Sequence, residues 1–226
     1  MFRATLALLI LSAPAMAQTS TQTSTQPLPL TARGNEPGWV LSLTDVGARA
    51  SLEGGGVQDW GLPVATADGA DTLYALEAGT ILRLSPGVCR DSMTGMPYPL
   101  AVSITQDKDA LTGCGGDPAA LLAGDWRLTR LAGQDVPAGV QATLTVSDGM
   151  ASGRSGCNRY GGTVTLTGEG LTFGPQAGTR MMCAALAMTV EAAYLDALPR
   201  VTRFDIADDG GLLLLAGDDA LARLAR

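Results

Sequence analysis

The sequence predicts a mainly β protein of the α+β class, built from two small antiparallel β domains, the second carrying one covering helix. Stretches of alternating apolar and polar residues recur along the chain, separated by turns that contain Gly and Asp. One stretch, residues 182–198, is apolar on all sides, lacks Gly and Pro, and is followed by Pro199. This pattern predicts a single helix of about four turns.

The N-terminal residues have the composition of an export signal. Arg3 supplies a positive charge, residues 4–11 are apolar, and Ala15-Met16-Ala17 has the small residues of a cleavage site. We therefore expect residues 1–17 to be a cleaved signal peptide and the protein to work in the periplasm. No Cys lies near the cleavage point to carry a lipid anchor. The apolar run of residues 4–11 is shorter than the ~20 residues that span a bilayer, and no later segment is long and apolar enough, so no transmembrane segment is predicted.

Composition divides the remaining chain into a linker and two domains. Residues 18–30, rich in Thr, Ser, Gln and Pro, predict a disordered linker. Residues 31–118 predict a β-rich domain, and residues 121–226 predict a second domain. The strands expected in the first domain are 39–44, 48–53, 72–77, 80–85 and 100–105. In the second domain, strands are expected at 126–131, 142–147, 163–167 and 171–173 before the helix, and at 201–206, 212–215 and 220–224 after it.

Four cysteines fall two in each predicted domain. They allow three pairings, and only Cys89–Cys114 with Cys157–Cys183 keeps both bridges within a domain. We predict these two disulfides, which require an oxidising compartment.

The residues that bind metals or cofactors are scarce. The chain has no His and no Cys-x-x-Cys, which argues against zinc and against a thioredoxin-type site. Sulfur ligands at 181–183, with Met93 and Met96, offer a copper(I) alternative. Core methionines beside a disulfide are the simpler interpretation, and no metal or cofactor is predicted.

Catalytic groups are equally scarce. Without His, neither a Ser-His-Asp nor a Cys-His arrangement is available, and acid–base chemistry is left to carboxylates or Tyr. Glu36 and Asp91 are isolated carboxylates that a glycosidase would have to set across a groove. The paired aspartates at 208–209 and 218–219 are typical of turns. We expect no catalytic residue and no enzyme activity.

The chain is acidic, with a formal net charge of −7. Nucleic acids and anionic membranes are bound by basic patches, so neither is an expected partner. The first domain holds five basic and eleven acidic residues between positions 29 and 120. Such an acidic surface suits a basic protein partner.

Two cysteine-containing segments carry a family resemblance. They are Ser155-Gly156-Cys157-Asn158-Arg159-Tyr160-Gly161-Gly162 and Gly178-Thr179-Arg180-Met181-Met182-Cys183. With the opening Trp126, the helix residues Glu191 and Tyr194 and the final strands, they resemble the META domain (HslJ-like) family over residues 121–226. The resemblance implies an antiparallel sheet with one covering helix. It also implies a non-enzymatic envelope protein linked to heat stress and to novobiocin tolerance.

The first half is similar to a small uncharacterised domain of bacterial envelope proteins. The similarity rests on Gly34-Asn35-Glu36-Pro37-Gly38-Trp39, on the segment from Cys89 to Pro99, and on Gly113-Cys114. It implies a compact β domain with one disulfide and no stated activity.

The candidate contact residues are Asn158, Arg159, Tyr160 and Arg180. We expect Asn158 to bond to backbone near Cys157, and Arg180 either to form a salt bridge or stack on Tyr160, or to contact a partner. The functional hypothesis is an HslJ-like periplasmic stress protein that binds an envelope protein or a misfolding client. The alternative is a binding module that inhibits a secreted hydrolase such as lysozyme. The oligomeric state is not predicted.

Overall fold

Two antiparallel β-sheets make up most of the protein in a computed structural model that describes residues 28–61 and 64–226. The predicted signal peptide and most of the predicted linker lie outside the described residues. The first strand already begins at Leu30, within the end of the predicted linker.

The first sheet contains nine strands. In chain order they are β1 (Leu30–Asn35), β2 (Gly38–Leu43), β3 (Gly47–Leu52), β4 (Gly56–Gly61), β5 (Ala65–Asp68), β6 (Asp71–Ala75), β7 (Ile81–Arg90), β8 (Pro97–Gln106) and β9 (Asp109–Gly115). Their order in the sheet is β4-β3-β2-β1-β9-β8-β7-β6-β5. The two predicted hairpins are present as β2–β3 and β6–β7.

Alternation explains which strands of the first sheet could be predicted. In β2 the buried residues are Trp39, Leu41 and Leu43, every second position, and they point into the core. The edge strands β4 and β5 bury no residue fully, so they lack the apolar half of the pattern and were not predicted. The central strands β1 and β9 were not predicted either, although β1 buries every second residue.

The second sheet contains ten strands. They are β10 (Gly124–Leu131), β11 (Gln134–Asp135), β12 (Gln141–Ser147), β13 (Met150–Gly156), β14 (Arg159–Leu166), β15 (Leu171–Phe173), β16 (Ala177–Gly178), β17 (Arg203–Ile206), β18 (Leu212–Ala216) and β19 (Asp219–Ala225). The main order is β15-β14-β13-β12-β10-β19-β18-β17, with β11 on β10 and β16 on β14. The Leu171 N–H donates to the carbonyl oxygen of Thr202 at 2.8 Å, so the two ends of this sheet meet.

Two helices accompany the sheets. The one-turn helix α1 (Ala119–Leu122) connects the halves, and α2 (Ala185–Ala197) is the helix predicted at 182–198. It begins three residues later than predicted, just after Cys183 of the second disulfide. A 3₁₀ turn at Leu198–Arg200 follows and contains Pro199. Helix α2 buries Val190, Tyr194 and Ala197 against the sheet, so the apolar stretch covers the core with one face only.

The two predicted disulfides are confirmed. The bridged cysteines have Cα atoms 5.5 Å apart in Cys89–Cys114 and 5.9 Å apart in Cys157–Cys183, and both distances suit a disulfide. Each bridge stays within one half of the chain. Two such bridges fit an oxidising compartment outside the cytoplasm. No helix within 28–61 and 64–226 has the length and apolar character needed to cross a bilayer.

The two halves are joined by packing and by one polar contact. Met96, just before β8, and Tyr98, within it, belong to the apolar core of the second half. The Arg90 Nε donates to both carboxylate oxygens of Asp205 at 3.0 Å, and its Nη2 donates to the carbonyl oxygen of Ile206 at 2.8 Å. The two halves therefore pack against each other and are not joined by the chain alone.

Candidate functional site

The β13–β14 turn is bound to the segment before α2 by the Cys157–Cys183 disulfide. Ser155 closes the turn, its N–H donating to the carbonyl oxygen of Asn158 at 2.9 Å. At Gly156, with φ of 125°, an added Cβ would lie 2.7 Å from the carbonyl oxygen of Ala187. Glycine is required here because both the positive φ and the close approach of α2 exclude a side chain.

The carboxylate of Glu191 on α2 is the centre of this region. One of its oxygens accepts hydrogen bonds from Ser155 Oγ at 2.6 Å, from the Asn158 N–H at 2.7 Å and from the Cys157 N–H at 3.3 Å. The other accepts a hydrogen bond from Asn158 Nδ2 at 2.8 Å. Burial disfavours the charge, but the bonds from Ser155 and Asn158 outweigh it and hold the pKa of Glu191 below its ordinary value.

The Asn158 side chain, which is buried, connects the turn to the segment before α2. Its Nδ2 also donates to the carbonyl oxygen of Met181 at 3.2 Å. Its Oδ1 accepts from Thr179 Oγ1 at 2.8 Å and from the Met181 N–H at 2.7 Å. All the donor and acceptor positions of this amide are used, which fixes its orientation. We call Ser155, Cys157, Asn158 and Glu191 the Glu191 network.

Beneath this network, Tyr160 and Tyr194 form a buried pair. Their hydroxyl oxygens are 2.9 Å apart and the rings meet edge to face at 5.7 Å. Tyr160 donates to the carbonyl oxygen of Thr143 at 3.0 Å, which leaves the Tyr194 hydroxyl to donate to Tyr160. Burial raises the pKa of Tyr160 to about 12 and that of Tyr194 well above its ordinary value. Both phenols therefore stay neutral and serve as structural links.

Above the network, arginines and methionines are exposed together. Arg154 and Arg159 lie directly opposite each other on β13 and β14, and Arg180 follows Thr179, whose N–H donates to the carbonyl oxygen of Arg159. The side chains of these arginines have no ion-pair partner in the described chain. Met182 is 96% exposed and Met181 54%. We call the region formed by these five residues the Arg–Met surface.

The candidate contact residues thus separate into two groups. Asn158 and Tyr160 are internal links, whereas Arg159 and Arg180 point to solvent. Arg180 makes neither the expected salt bridge nor the expected stack on Tyr160, whose ring packs on Tyr194 instead. Glu191 was part of the family pattern but received no role from the sequence. The sequence did contain an indication of such a role, because Glu191 is one of only two charged residues in the otherwise apolar stretch 182–198.

The carboxylates of the first half have structural surroundings. Glu36 and Asp91 line one depression of about 490 Å³. One Asp91 oxygen accepts from the Thr94 N–H at 2.8 Å and from the Met93 N–H at 3.0 Å, and the other accepts from Asn35 Nδ2 at 3.2 Å. Burial opposes ionisation, but these bonds hold the pKa of Asp91 below its ordinary value. Asp91 therefore organises its own loop.

The aspartates of the last two turns also have partners. Asp209 pairs with Arg223, and Asp218 lies 3.1 Å from Arg203. The Gly211 N–H and the Arg223 guanidinium lower the pKa of Asp209. Throughout residues 28–61 and 64–226, His, Cys, Asp and Glu side chains form no group suited to hold a metal ion.

Comparison with known proteins places the second half in a family. The family model for the META domain matches residues 119–226. A protein from Burkholderia xenovorans, solved by NMR, is 34% identical, and the match covers 48% of this chain and 85% of that chain, with a TM-score of 0.39. No curated protein matches the chain. Through residues 119–226, which are a META domain, the chain belongs to the META domain family.

Proposed function

We propose that this protein is a non-enzymatic stress protein of the periplasm that acts by binding a partner and supports tolerance of heat or novobiocin. The META domain favours a stress-related or envelope-associated role in general. The two disulfides favour an oxidising compartment. Export would depend on the signal peptide expected at residues 1–17.

The Arg–Met surface is the observation that carries the binding proposal. Among the described residues, seven arginines form ion pairs with aspartate. Arg154, Arg159 and Arg180 form none, as is also true of Arg33, Arg127 and Arg226, but only the first three are grouped with exposed methionines. Like charges directly opposite across a hairpin are destabilising, and burial of an exposed methionine in an interface is favourable. Arg and Met are also enriched where proteins meet. A partner with acidic and apolar groups would offset the charge repulsion and bury the methionines.

The Glu191 network supports the same proposal, because it holds the backbone that carries the Arg–Met surface. It fixes the backbone of Cys157, Asn158 and Met181 by hydrogen bonds and a disulfide, so the Arg–Met surface is presented on a rigid base. A rigid surface loses little conformational entropy on binding. The expected partner is an envelope protein or a misfolding client whose surface carries carboxylates around an apolar patch.

A matched pair of triple variants tests this proposal. Arg154→Ala/Arg159→Ala/Arg180→Ala removes the charge of the Arg–Met surface. The control, Arg49→Ala/Arg130→Ala/Arg200→Ala, changes the net charge equally at arginines that are exposed and ion-paired.

Each variant is used to complement a deletion strain and as bait in a pull-down from envelope extract. We expect the first variant to lose heat and novobiocin tolerance and to recover no specific partner, while the control behaves as wild type. Normal tolerance of the deletion strain itself, or equal behaviour of the two variants, would contradict the proposal.

The acidic first half favours the alternative function, inhibition of a secreted hydrolase such as lysozyme. Between positions 29 and 120, acidic residues outnumber basic ones by eleven to five, and electrostatic complementarity would bring a basic enzyme to this half. Purified protein at micromolar concentration should then inhibit lysozyme, with weaker inhibition in high salt. Unchanged lysozyme activity would remove this alternative.

A further inference from the structure

A cleft of about 720 Å³ lies where the two halves meet. Its walls come from β1 and β8 of the first half, from α1, and from the turn that follows β14. Leu30, Pro99, Leu100 and Leu166 give these walls an apolar lining. Volumes of 300–1,000 Å³, apolar walls and a position between domains are typical of small-molecule sites.

Arg33 brings an uncompensated positive charge to this cleft. The side chain has no ion pair or hydrogen bond within the described parts of the chain, although it lines the cleft. Its Nη1 lies 3.9 Å from the position that a Cβ of Gly168 would take, so the guanidinium of the first half reaches the turn of the second. Asp117 lines the cleft too, but its carboxylate accepts the Ala119 N–H at 2.8 Å.

Tyr98 brings a second unused polar group. The residue is only 6% exposed and lines the same cleft, yet its hydroxyl forms no hydrogen bond with any described residue. Its oxygen is not among the fully buried polar atoms that lack a partner in the described residues, so the hydroxyl reaches the solvent of the cleft and is free to bind a ligand. A guanidinium and a hydroxyl without partners, at one apolar cleft, indicate a ligand that has a polar head able to accept both.

We propose that this cleft binds a single-chain amphiphile with an anionic head, a carboxylate or a phosphate. Arg33 would hold the head by charge and by its parallel N–H groups, and the Tyr98 hydroxyl would donate to the same oxygen atoms. The chain would lie along Leu30, Pro99, Leu100 and Leu166. Asp117 opposes an anion in the cleft, which limits the affinity. The site is independent of the Arg–Met surface.

The test is titration calorimetry of the purified full chain with dodecanoate and with dodecyl phosphate, both below their micelle concentrations. Dodecyltrimethylammonium has the same tail with a cationic head and serves as the control probe. We expect saturable binding of at least one anionic probe and about tenfold weaker binding of the cation, since a charge-assisted hydrogen bond contributes at least that factor. The anion that binds more tightly identifies the head group.

Variants connect the binding to the cleft. Arg33→Gln should weaken the anionic probe about tenfold or more, and Tyr98→Phe about threefold to tenfold. Asp117→Asn should tighten it, because it removes the opposing charge. Arg49→Gln, at an exposed arginine of the same sheet, should bind as wild type, and thermal melting verifies that each variant is folded.

Several outcomes would overturn the proposal. They are no saturable binding of either anion, equal binding of anion and cation, and unchanged affinity in both folded Arg33→Gln and folded Tyr98→Phe. Concentration-dependent dimerisation that Leu166→Asp abolishes, without binding of either probe, would overturn it in favour of a second copy of the chain as the occupant, since Leu166 lines the cleft and is only partly buried.

Discussion

The Glu191 carboxylate joins α2 to the β13–β14 turn, and Glu191→Gln measures how much that junction stabilises the second half. The substitution keeps the size of the side chain and removes its charge. A glutamine that aligns its oxygen with Ser155 Oγ and the N–H groups of Cys157 and Asn158 must place its NH₂ against Asn158 Nδ2. Asn158 cannot rotate to accept it, because its own Oδ1 already accepts from Thr179 Oγ1 and the Met181 N–H.

The expected loss follows from these bonds. Three bonds to a charged acceptor become bonds to a neutral one, and the fourth becomes a contact between two donors. Because hydrogen bonds to charged groups contribute roughly twice as much as neutral ones, the free energy of unfolding should fall by about 2–4 kcal/mol. Glu169→Gln is the matched control, since Glu169 is exposed in the same half and should change stability by less than about 0.5 kcal/mol.

The assay is denaturant unfolding with both disulfides intact, at several pH values. The pKa of Glu191 is below its ordinary value of 4.5, so the folded state favours the ionised carboxylate. Its contribution is therefore fully present above the unfolded pKa and lost as pH falls through the folded pKa. The gap between wild type and Glu191→Gln should narrow below about pH 4.5. A gap under about 1 kcal/mol at pH 7, or one that widens in acid, would refute the reasoning.

Three further predictions concern stability. Cys157→Ala/Cys183→Ala opens a loop with a sequence separation of 26. The free energy of unfolding, measured by denaturant titration, should fall by roughly 3–4 kcal/mol. An unchanged midpoint would show that the bridge is not formed. Tyr194→Phe removes a hydroxyl that bonds to Tyr160, and Tyr160 keeps its own bond to the carbonyl oxygen of Thr143. The free energy of unfolding, measured by thermal melting, should therefore fall by about 1 kcal/mol, and a fall of more than about 3 kcal/mol would contradict this assignment. A double-mutant cycle of Arg90→Ala and Asp205→Ala should give a coupling free energy of at most about 1 kcal/mol for unfolding, because both side chains are partly exposed to water. A coupling above about 2 kcal/mol would show that this pair contributes substantially to holding the two halves together.

Much of the second half could be predicted because its signals are local. The strands β12, β15 and β18 lie where alternating or apolar runs predict them, and Pro199 ends the helical region as expected. Edge strands β4 and β5 could not be predicted, because a strand without a buried face has no alternation to detect. The start of α2 lies three residues later than predicted, and the residues before it include Cys183, which is bridged to Cys157 of the β13–β14 turn.

The candidate site shows the same division. The sequence placed Asn158, Arg159, Tyr160 and Arg180 in one motif, but it gave no means to separate the buried links from the exposed arginines. That separation depends on which side of a strand each residue faces, and adjacent residues of a strand face opposite sides. Arg159 and Tyr160 are neighbours in the chain and have opposite surroundings for this reason.

The sequence by itself determined the β-rich class through its periodicity and the resemblance to the META family through its motifs, and it favoured one of three disulfide pairings that the structure confirmed. Only the tertiary structure decided that Glu191 is the centre of the network, that Arg154 faces Arg159, and that Arg33 and Tyr98 share one cleft. These relations join residues from separate elements, and their positions follow from strand register and from the packing of the two halves. Local residue patterns carry no record of either, because strand register and the packing of the halves depend on contacts between residues that are distant in the chain.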